Sequence, residues 1–470
     1  MSVAYGAIKD VHAEFKTPSY PSNCLRFLTS ACYQSSADHV DGSTSSSTPL
    51  NIIVVGAGLG GLATAIALAR NNHHVTVYEQ TERLAEVGAG IQIPPNSSRL
   101  LAKLGLEPYL QKYVTEPASV LMRRWQNGKV IGHTRLIPDC RQQYGAPYYV
   151  IHRADFHDAM YRLAVDLGVT VKLASRVVDY DVDAPSITLQ DGSKVTADLV
   201  VAADGVKSTA RKGVLGGADK PPQRTGFAVY RAVVDIDRIK ADPETSWLLE
   251  KPAFNLWLGD ARHVMTYTIG AGKSFNMVLS HPDDTDPETW NQDEALDNMR
   301  KEFEGWDPTL TKIIHMIDKT LKWPLFSGSI LERWVSGKLV ILGDAAHAML
   351  PYMSQGAAIA VEDGVALARV LSKISSKDQM PLALSIFEKV RLERASQMQE
   401  ASLLNSRLWH FPDGPLQQAR DAAMLPEVEG RPFSHSPNQW SDPATQIWCF
   451  GYDAEKEIDK AWKREVDKEM

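Results

Sequence analysis

Two short clusters combine glycine with an acidic residue, Ala203-Asp204-Gly205 and Gly343-Asp344-Ala345-Ala346-His347, and a third, Gly56-Ala57-Gly58-Leu59-Gly60-Gly61, is rich in glycine alone. Glycine lets a backbone close on an anion, and a carboxylate accepts hydrogen bonds from sugar hydroxyls, so the chemistry on offer is dinucleotide binding. Gly56 permits a tight turn, Gly58 lets the main chain approach a pyrophosphate, and Gly61 brings a following helix close to its strand. That helix start points free N–H groups at the phosphates. Glu79 lies about 20 residues further on, where a carboxylate binds both hydroxyls of an unphosphorylated adenosine ribose. NAD and FAD proteins share this unit, so alone it leaves both open.

The elements that must position these clusters are legible around them. Ile52-Ile53-Val54-Val55 reads as a buried strand, Leu62 to Arg70 as the helix after the turn, and His74 to Glu79 as the second strand of a βαβ unit. The uncharged run Ile52–Ala69 is therefore strand plus sheet-packing helix rather than a membrane span. Ala197 to Ala203 is a nearly continuous apolar run ending at Asp204-Gly205, and Lys338 to Leu342 repeats that pattern before Gly343-Asp344. Both carboxylates thus fall at the carboxyl edge of a sheet, where open α/β sheets bind ligands. Met349 to Ala358 forms a loop ahead of a helix from about Ile359 to Val370, a place whose N–H groups favour negative charge. The stretch Glu86 to Asn96 is a second glycine-rich segment, and Arg153 opens a helix running to about Leu167, where it can bind phosphate or ribose.

Composition excludes several classes. The chain has 470 residues with 44% hydrophobic and 23% charged content, ordinary for a soluble protein with a large core. A net charge of −7 without a Lys/Arg stripe argues against nucleic acid. Four cysteines, Cys24, Cys32, Cys140 and Cys449, have no metal-ligand spacing, and no metal is expected. Residues 1–48, ending in a Ser/Thr run, read as a disordered extension without the apolar core of a secretory signal, and a cytoplasmic location is expected.

With these motifs in place, the chain resembles the single-component, FAD-dependent aromatic hydroxylases, in their salicylate hydroxylase-like branch, over about residues 50–465. The resemblance implies an α/β (α+β overall) protein: a discontinuous Rossmann-like FAD-binding domain, an inserted β-sheet substrate domain and a C-terminal helical segment. The corresponding boundaries are 49–214 and 326–400 for the FAD domain, 215–325 for the substrate domain and 401–470 for the C-terminal segment and tail. It implies that Gly56, Gly58, Gly61 and Glu79 bind the ADP half of FAD, and that Asp204 and Gly205 serve FAD and the nicotinamide donor. Gly343 and Asp344 would hold the ribityl chain, Arg153 would lie near the cofactor, and Pro351, Gly356 and Ala357 would lie beside the flavin ring. The late segments Asp413-Gly414-Pro415, Arg420-Asp421 and Trp448 to Asp453 also resemble that branch. Thr266-Tyr267-Thr268 and Phe326-Ser327-Gly328 depart from its pattern, at places that bear on substrate.

The activity implied is hydroxylation of a small aromatic substrate with O2, NADH or NADPH reducing the flavin transiently and a flavin hydroperoxide delivering the oxygen. Tyr230, Arg231 and His263 are the candidates for substrate handling: Arg231 could pair with a carboxylate or phenolate, and Tyr230 could orient it. His347 is expected to support the flavin loop, and Glu455 to Met470 to be a solvated tail. A larger aromatic or indolic substrate is the alternative; a flavin dehydrogenase or a non-catalytic FAD-binding protein is a more distant one. A monomer or homodimer is expected.

Overall fold

The computed structural model describes residues 48–84 and 89–469. The 1–48 extension, save its last residue, and the Glu86–Gly88 part of the second glycine-rich segment lie outside them. A six-stranded sheet forms the first layer, in the order Val335–Ser336, Leu339–Ile341, Leu199–Ala202, Asn51–Val55, His74–Tyr78 and Thr170–Lys172. All neighbours pair in parallel except the first two, which are antiparallel. Leu199–Ala202 and Leu339–Ile341 are buried at every position, as strands covered on both faces require. The chain leaves this sheet after Ala202 and returns at Val335, so the domain is discontinuous.

Helix Leu59–Arg70 carries no acidic residue and buries nine of its residues. It packs on helix Gly356–Leu371 so closely that a Cβ on Gly364 would stand 2.7 Å from the Thr64 Cα. Each fully buried Leu or Ile at this contact contributes about 1.5–3 kcal/mol.

A seven-stranded sheet forms the second body, in the order Leu321–Ser327, Gln223–Asp235, Ser274–Pro282, Arg262–Ile269, Ala253–Gly259, Ser119–Arg124 and Val130–Arg135. Its last two strands come from 119–135, so the sheet is larger than the expected 215–325 insertion; the connection Glu116 to Pro138 crosses into it before the first sheet is complete. One face meets the main core, and the other carries a separate cluster with helices Ala295–Glu302 and Pro308–His315.

Four helices follow: Met380–Trp409, Pro415–Val428, Pro443–Phe450 and Ala454–Glu469. The last corrects the expectation of a solvated tail. Ala454 and Ile458 are fully buried, Asp459 pairs with Arg369 at 2.7 Å, and the helix packs on Gly356–Leu371. Its high charge content conceals an apolar stripe at helical spacing, Ala454, Ile458, Ala461 and Trp462.

Candidate active site

Gly56, Asp204 and Gly343 stand just past the carboxyl ends of three adjacent parallel strands, Asn51–Val55, Leu199–Ala202 and Leu339–Ile341. Sequence clusters separated by well over a hundred residues therefore share one sheet edge. Gly56 has φ +97°, and a Cβ there would meet the Ala203 carbonyl oxygen at 2.4 Å. A Cβ on Gly61 would stand 1.9 Å from the Gly56 oxygen, whereas Gly58 faces open space. The turn is thus tight where the helix meets its strand and empty where a phosphate would approach.

The Glu79 carboxylate is held by the main chain, accepting from Ala57 N at 2.7 Å and Thr81 N at 2.9 Å. Asp204 accepts through one oxygen from the Tyr180 hydroxyl (3.1 Å) and Thr209 N (3.0 Å), while its buried Oδ1 has no partner. Gly205 (φ +80°) and Gly343 (φ +60°) turn the chain away from the sheet, and the Asp344 side chain is exposed at the start of helix Asp344–His347. Arg153 begins helix Arg153–Asp166, its N–H donating to the Ala89 carbonyl at 3.1 Å. Pro351 opens the turn Pro351–Met353, and Gly356 and Ala357 start helix Gly356–Leu371.

A buried ionic frame supports this edge. Asp363 takes the Gly343 N–H at 3.1 Å, His347 Nε2 at 2.6 Å and Arg391 Nε at 2.8 Å. Glu362 pairs with Arg391 at 2.9 Å and Arg394 at 3.2 Å and accepts from Asn96 at 2.7 Å. Burial alone would raise the Asp363 carboxyl; His347 and Arg391 outweigh it and hold the group below the usual carboxylate range. His347 therefore acts where expected, as a support of the loop after Gly343, while its Nδ1 is buried without a partner.

Facing this edge, the inner surface of the seven-stranded sheet is set by strand alternation. Phe227, Val229 and Arg231 lie on it, beside Ser280, Val278 and Asn276, then His263, Met265 and Tyr267, then Leu258, Leu256 and Phe254. Arg231 is largely buried and its Nε has no partner; burial lowers its pKa, the nearby Arg153 charge adds to this, and Tyr267 opposes it. The structure therefore brings Arg231, His263 and Arg153 toward the same space. It does not bring Tyr230 there. As the neighbour of Arg231 in an alternating strand, Tyr230 points to the outer face, stacks on His281 at 4.7 Å and joins the second cluster. The two residues were paired by adjacency in sequence, and a strand sends adjacent side chains to opposite faces.

Four rings that sequence reasoning did not single out complete the inner surface. Tyr352, in the loop after Pro351, lies 5.4 Å from His263 and 5.6 Å from Trp409. Trp409 ends helix Met380–Trp409 and meets Trp440 edge-on at 5.5 Å, and Trp440 approaches Phe254 at 6.3 Å. His410 lies 5.1 Å from Phe227, and its Nε2 hydrogen-bonds with His263 Nδ1 at 2.8 Å. The result is a buried cluster of mutually packed rings, an aromatic cage only in the sense that each ring abuts the next, from Tyr267 and Phe254 through Trp440, Trp409 and Tyr352 to His263, His410 and Phe227. The sequence signal for Trp409 and His410 is the density of aromatics in Leu408 to Phe411.

Residues 50–402 match the model of the FAD binding domain family. The chain belongs to that family. The FAD-dependent monooxygenase OpS4 of Beauveria bassiana is 36% identical over 418 residues, covering 88% of this chain and 97% of the relative. The 6-hydroxynicotinate 3-monooxygenase of Pseudomonas fluorescens is 35% identical over 385 residues, covering 80% and 97%. A salicylate hydroxylase solved as a substrate complex superposes with a TM-score of 0.72 at 27% identity, over 88% of this chain and 98% of the other. The enzyme is thus an FAD-dependent aromatic monooxygenase by family, with the mixed α/β hydroxylase fold. The open approach at Gly58 and the orphaned, buried Asp204 Oδ1 suit a bound dinucleotide with free hydroxyls. Among the described residues no helix is long and apolar enough to cross a membrane, and no cluster of His, Cys, Asp and Glu could hold a metal ion.

Proposed function

We propose that the enzyme hydroxylates a phenolic or aromatic-acid substrate of the salicylate type, using O2 and NADH or NADPH, in the cytoplasm as a monomer or homodimer. The observation that carries this reading is the aromatic cage on the inner sheet face, bordered by Arg231 and lying across from the glycine–carboxylate edge. FAD, when bound, stores the electrons of the nicotinamide donor and activates oxygen.

The chain's own residues divide the remaining tasks. The N–H groups after Gly56 and around Gly58 hold the pyrophosphate, with Gly61 keeping the helix start against its strand. Glu79 takes the adenosine ribose, its carboxylate already oriented by two main-chain N–H groups. Asp204, Gly205, Gly343 and Asp344 serve hydroxyls along the cofactor, Arg153 its charged groups, and Pro351, Gly356 and Ala357 the ring edge at a helix N-terminus. Arg231, desolvated and with a free Nε, binds the substrate's carboxylate or phenolate. The cage rings hold the aromatic plane by edge and face contacts and exclude water from it. His263 offers a neutral imidazole to a phenolic hydroxyl.

The length of the cage, from Tyr267 to Phe227, favours as second reading a larger aromatic or indolic substrate held by the same residues. The test is NADH and NADPH oxidation by the purified yellow protein in air, with and without salicylate, with product mass as readout. Acceleration with a product gaining one oxygen supports the first reading. Acceleration yielding only peroxide transfers the case to larger rings, and a protein that gains no FAD on reconstitution overturns both.

A further inference from the structure

The Asp413-Gly414-Pro415 region follows a residue that no motif explains. His410 sits in the turn between helices Met380–Trp409 and Pro415–Val428, and its side chain enters the cage. Its Nε2 is 2.8 Å from His263 Nδ1, with ring centroids 5.1 Å apart and planes 27° from parallel. A centroid separation so close to the contact distance plus two ring radii means that the imidazoles meet edge to edge, sharing one proton, rather than face to face. Phe227 lies nearly parallel to His410 at 5.1 Å and Tyr352 stands edge-on at 5.4 Å, so the ring has little freedom to turn. His410 Nδ1 is buried without a partner.

We propose that His410 is a positioning residue for substrate recognition: through the shared proton it fixes the tautomer of His263, so that the C-terminal segment and the substrate sheet together select an aromatic ring bearing a free hydroxyl. This rests on the reading of the cage as the substrate site. One proton lies between Nδ1 of His263 and Nε2 of His410, and with it on His263 the Nε2 of that residue is bare and accepts a hydroxyl hydrogen. When a phenol transfers its proton there, the O–H bond breaks and an N–H bond forms. His263 then carries that proton on Nε2, its Nδ1–H still donating to His410 Nε2, until it returns the proton to the substrate oxygen. The surroundings keep the pair uncharged at rest. Burial lowers both rings; His410 further lowers His263, and Arg420, bonded to Asp421 and to the Leu408 and Trp409 carbonyls, further lowers His410. Tyr352 from the loop, its hydroxyl beside those of Ser280 from the sheet and Ser406 from helix Met380–Trp409, and the Trp409 indole are the other polar groups around the pair.

Two measurements on the FAD-loaded enzyme test this. In protein labelled with 15N-histidine, with His263 assigned by its loss in His263→Gln, the wild type shows one neutral tautomer at pH 7. His410→Phe, which keeps the ring against Phe227, converts it to a tautomer mixture, and His410→Gln restores the single form. Identical His263 signals in wild type and His410→Phe overturn the proposal. In the second, flavin absorbance reports binding of 4-nitrophenol and of 4-nitroanisole, its methyl ether. The wild type binds the phenol at least tenfold tighter, His410→Phe loses the preference with FAD content unchanged, and His410→Gln regains part of it. Equal affinities, or no binding of the phenol to wild type, overturn the proposal. Discrimination between the probes by a protein that transfers no oxygen to any phenol would leave this inference standing while the proposed activity fails.

Discussion

The cofactor edge and the aromatic cage face each other but are built on opposite plans. At the edge, the proposed contacts come from main chain and acidic side chains at the ends of three neighbouring strands, each within a run of a few residues. In the cage, every contact is a large side chain, and the contributors are a sheet, the Tyr352 loop and two C-terminal turns. A backbone-built site tolerates little change in residue type because a Cβ in the wrong place collides with main chain. A side-chain-built site can be re-cut one ring at a time, which suits a family whose members act on different rings.

The most severe break is expected beneath the edge. Arg391→Met leaves Glu362 and Asp363 as buried, undercompensated carboxylates, and should cost about 3–5 kcal/mol in chemical unfolding, with FAD released. Gly56→Val forces a branched residue to φ +97° and toward the Ala203 oxygen. Strain of about 1–3 kcal/mol and loss of bound FAD, read by absorbance per chain, are expected.

On the cage side the effects at neutral pH are smaller and leave FAD in place. His410 falls from 6.5 to about 3 in the folded protein through burial and then Arg420. The unfolded chain therefore binds the extra proton between those values, so this stability is complete above pH 6.5 and is lost as pH falls toward 3. His410→Gln should flatten the acid side of the stability profile by up to about 1.4 kcal/mol per pH unit relative to wild type. Trp440→Phe shortens the edge contacts to Trp409 and Phe254. It should raise substrate KM by about 0.5–1.5 kcal/mol equivalent with unchanged FAD content; equal loss of FAD would erase the distinction between the two regions.

The same contrast explains what was legible in the sequence. Gly56 to Gly61, Glu79, Asp204-Gly205 and Gly343-Asp344 announce a strand-end site because each motif carries its own strand and turn, and the return of 339–341 beside 199–202 follows from two apolar runs of one grammar. Arg231 and His263 were visible as polar residues in β-rich stretches, yet which of Tyr230 and Arg231 points inward depends on register, and that is settled by strands 274–282 and 321–327 together. The pairing of strand 119–124 with 253–259 is a parallel contact between remote segments and leaves no local mark. Trp409, His410 and Trp440 were hidden for the same reason: they matter only because helices 380–409 and 415–428 fold back over the sheet. Ile458 and Trp462 were masked by the charges around them.

The most direct test of the account is oxygen tracing. The FAD-loaded enzyme is reduced with NADH without air, mixed with salicylate or a larger hydroxylated aromatic, and exposed to 18O2. The account predicts a ring product carrying one 18O atom, formed by wild type and lost in Gly56→Val together with the flavin. Reduction and reoxidation that yield only labelled peroxide with every phenol offered would contradict it.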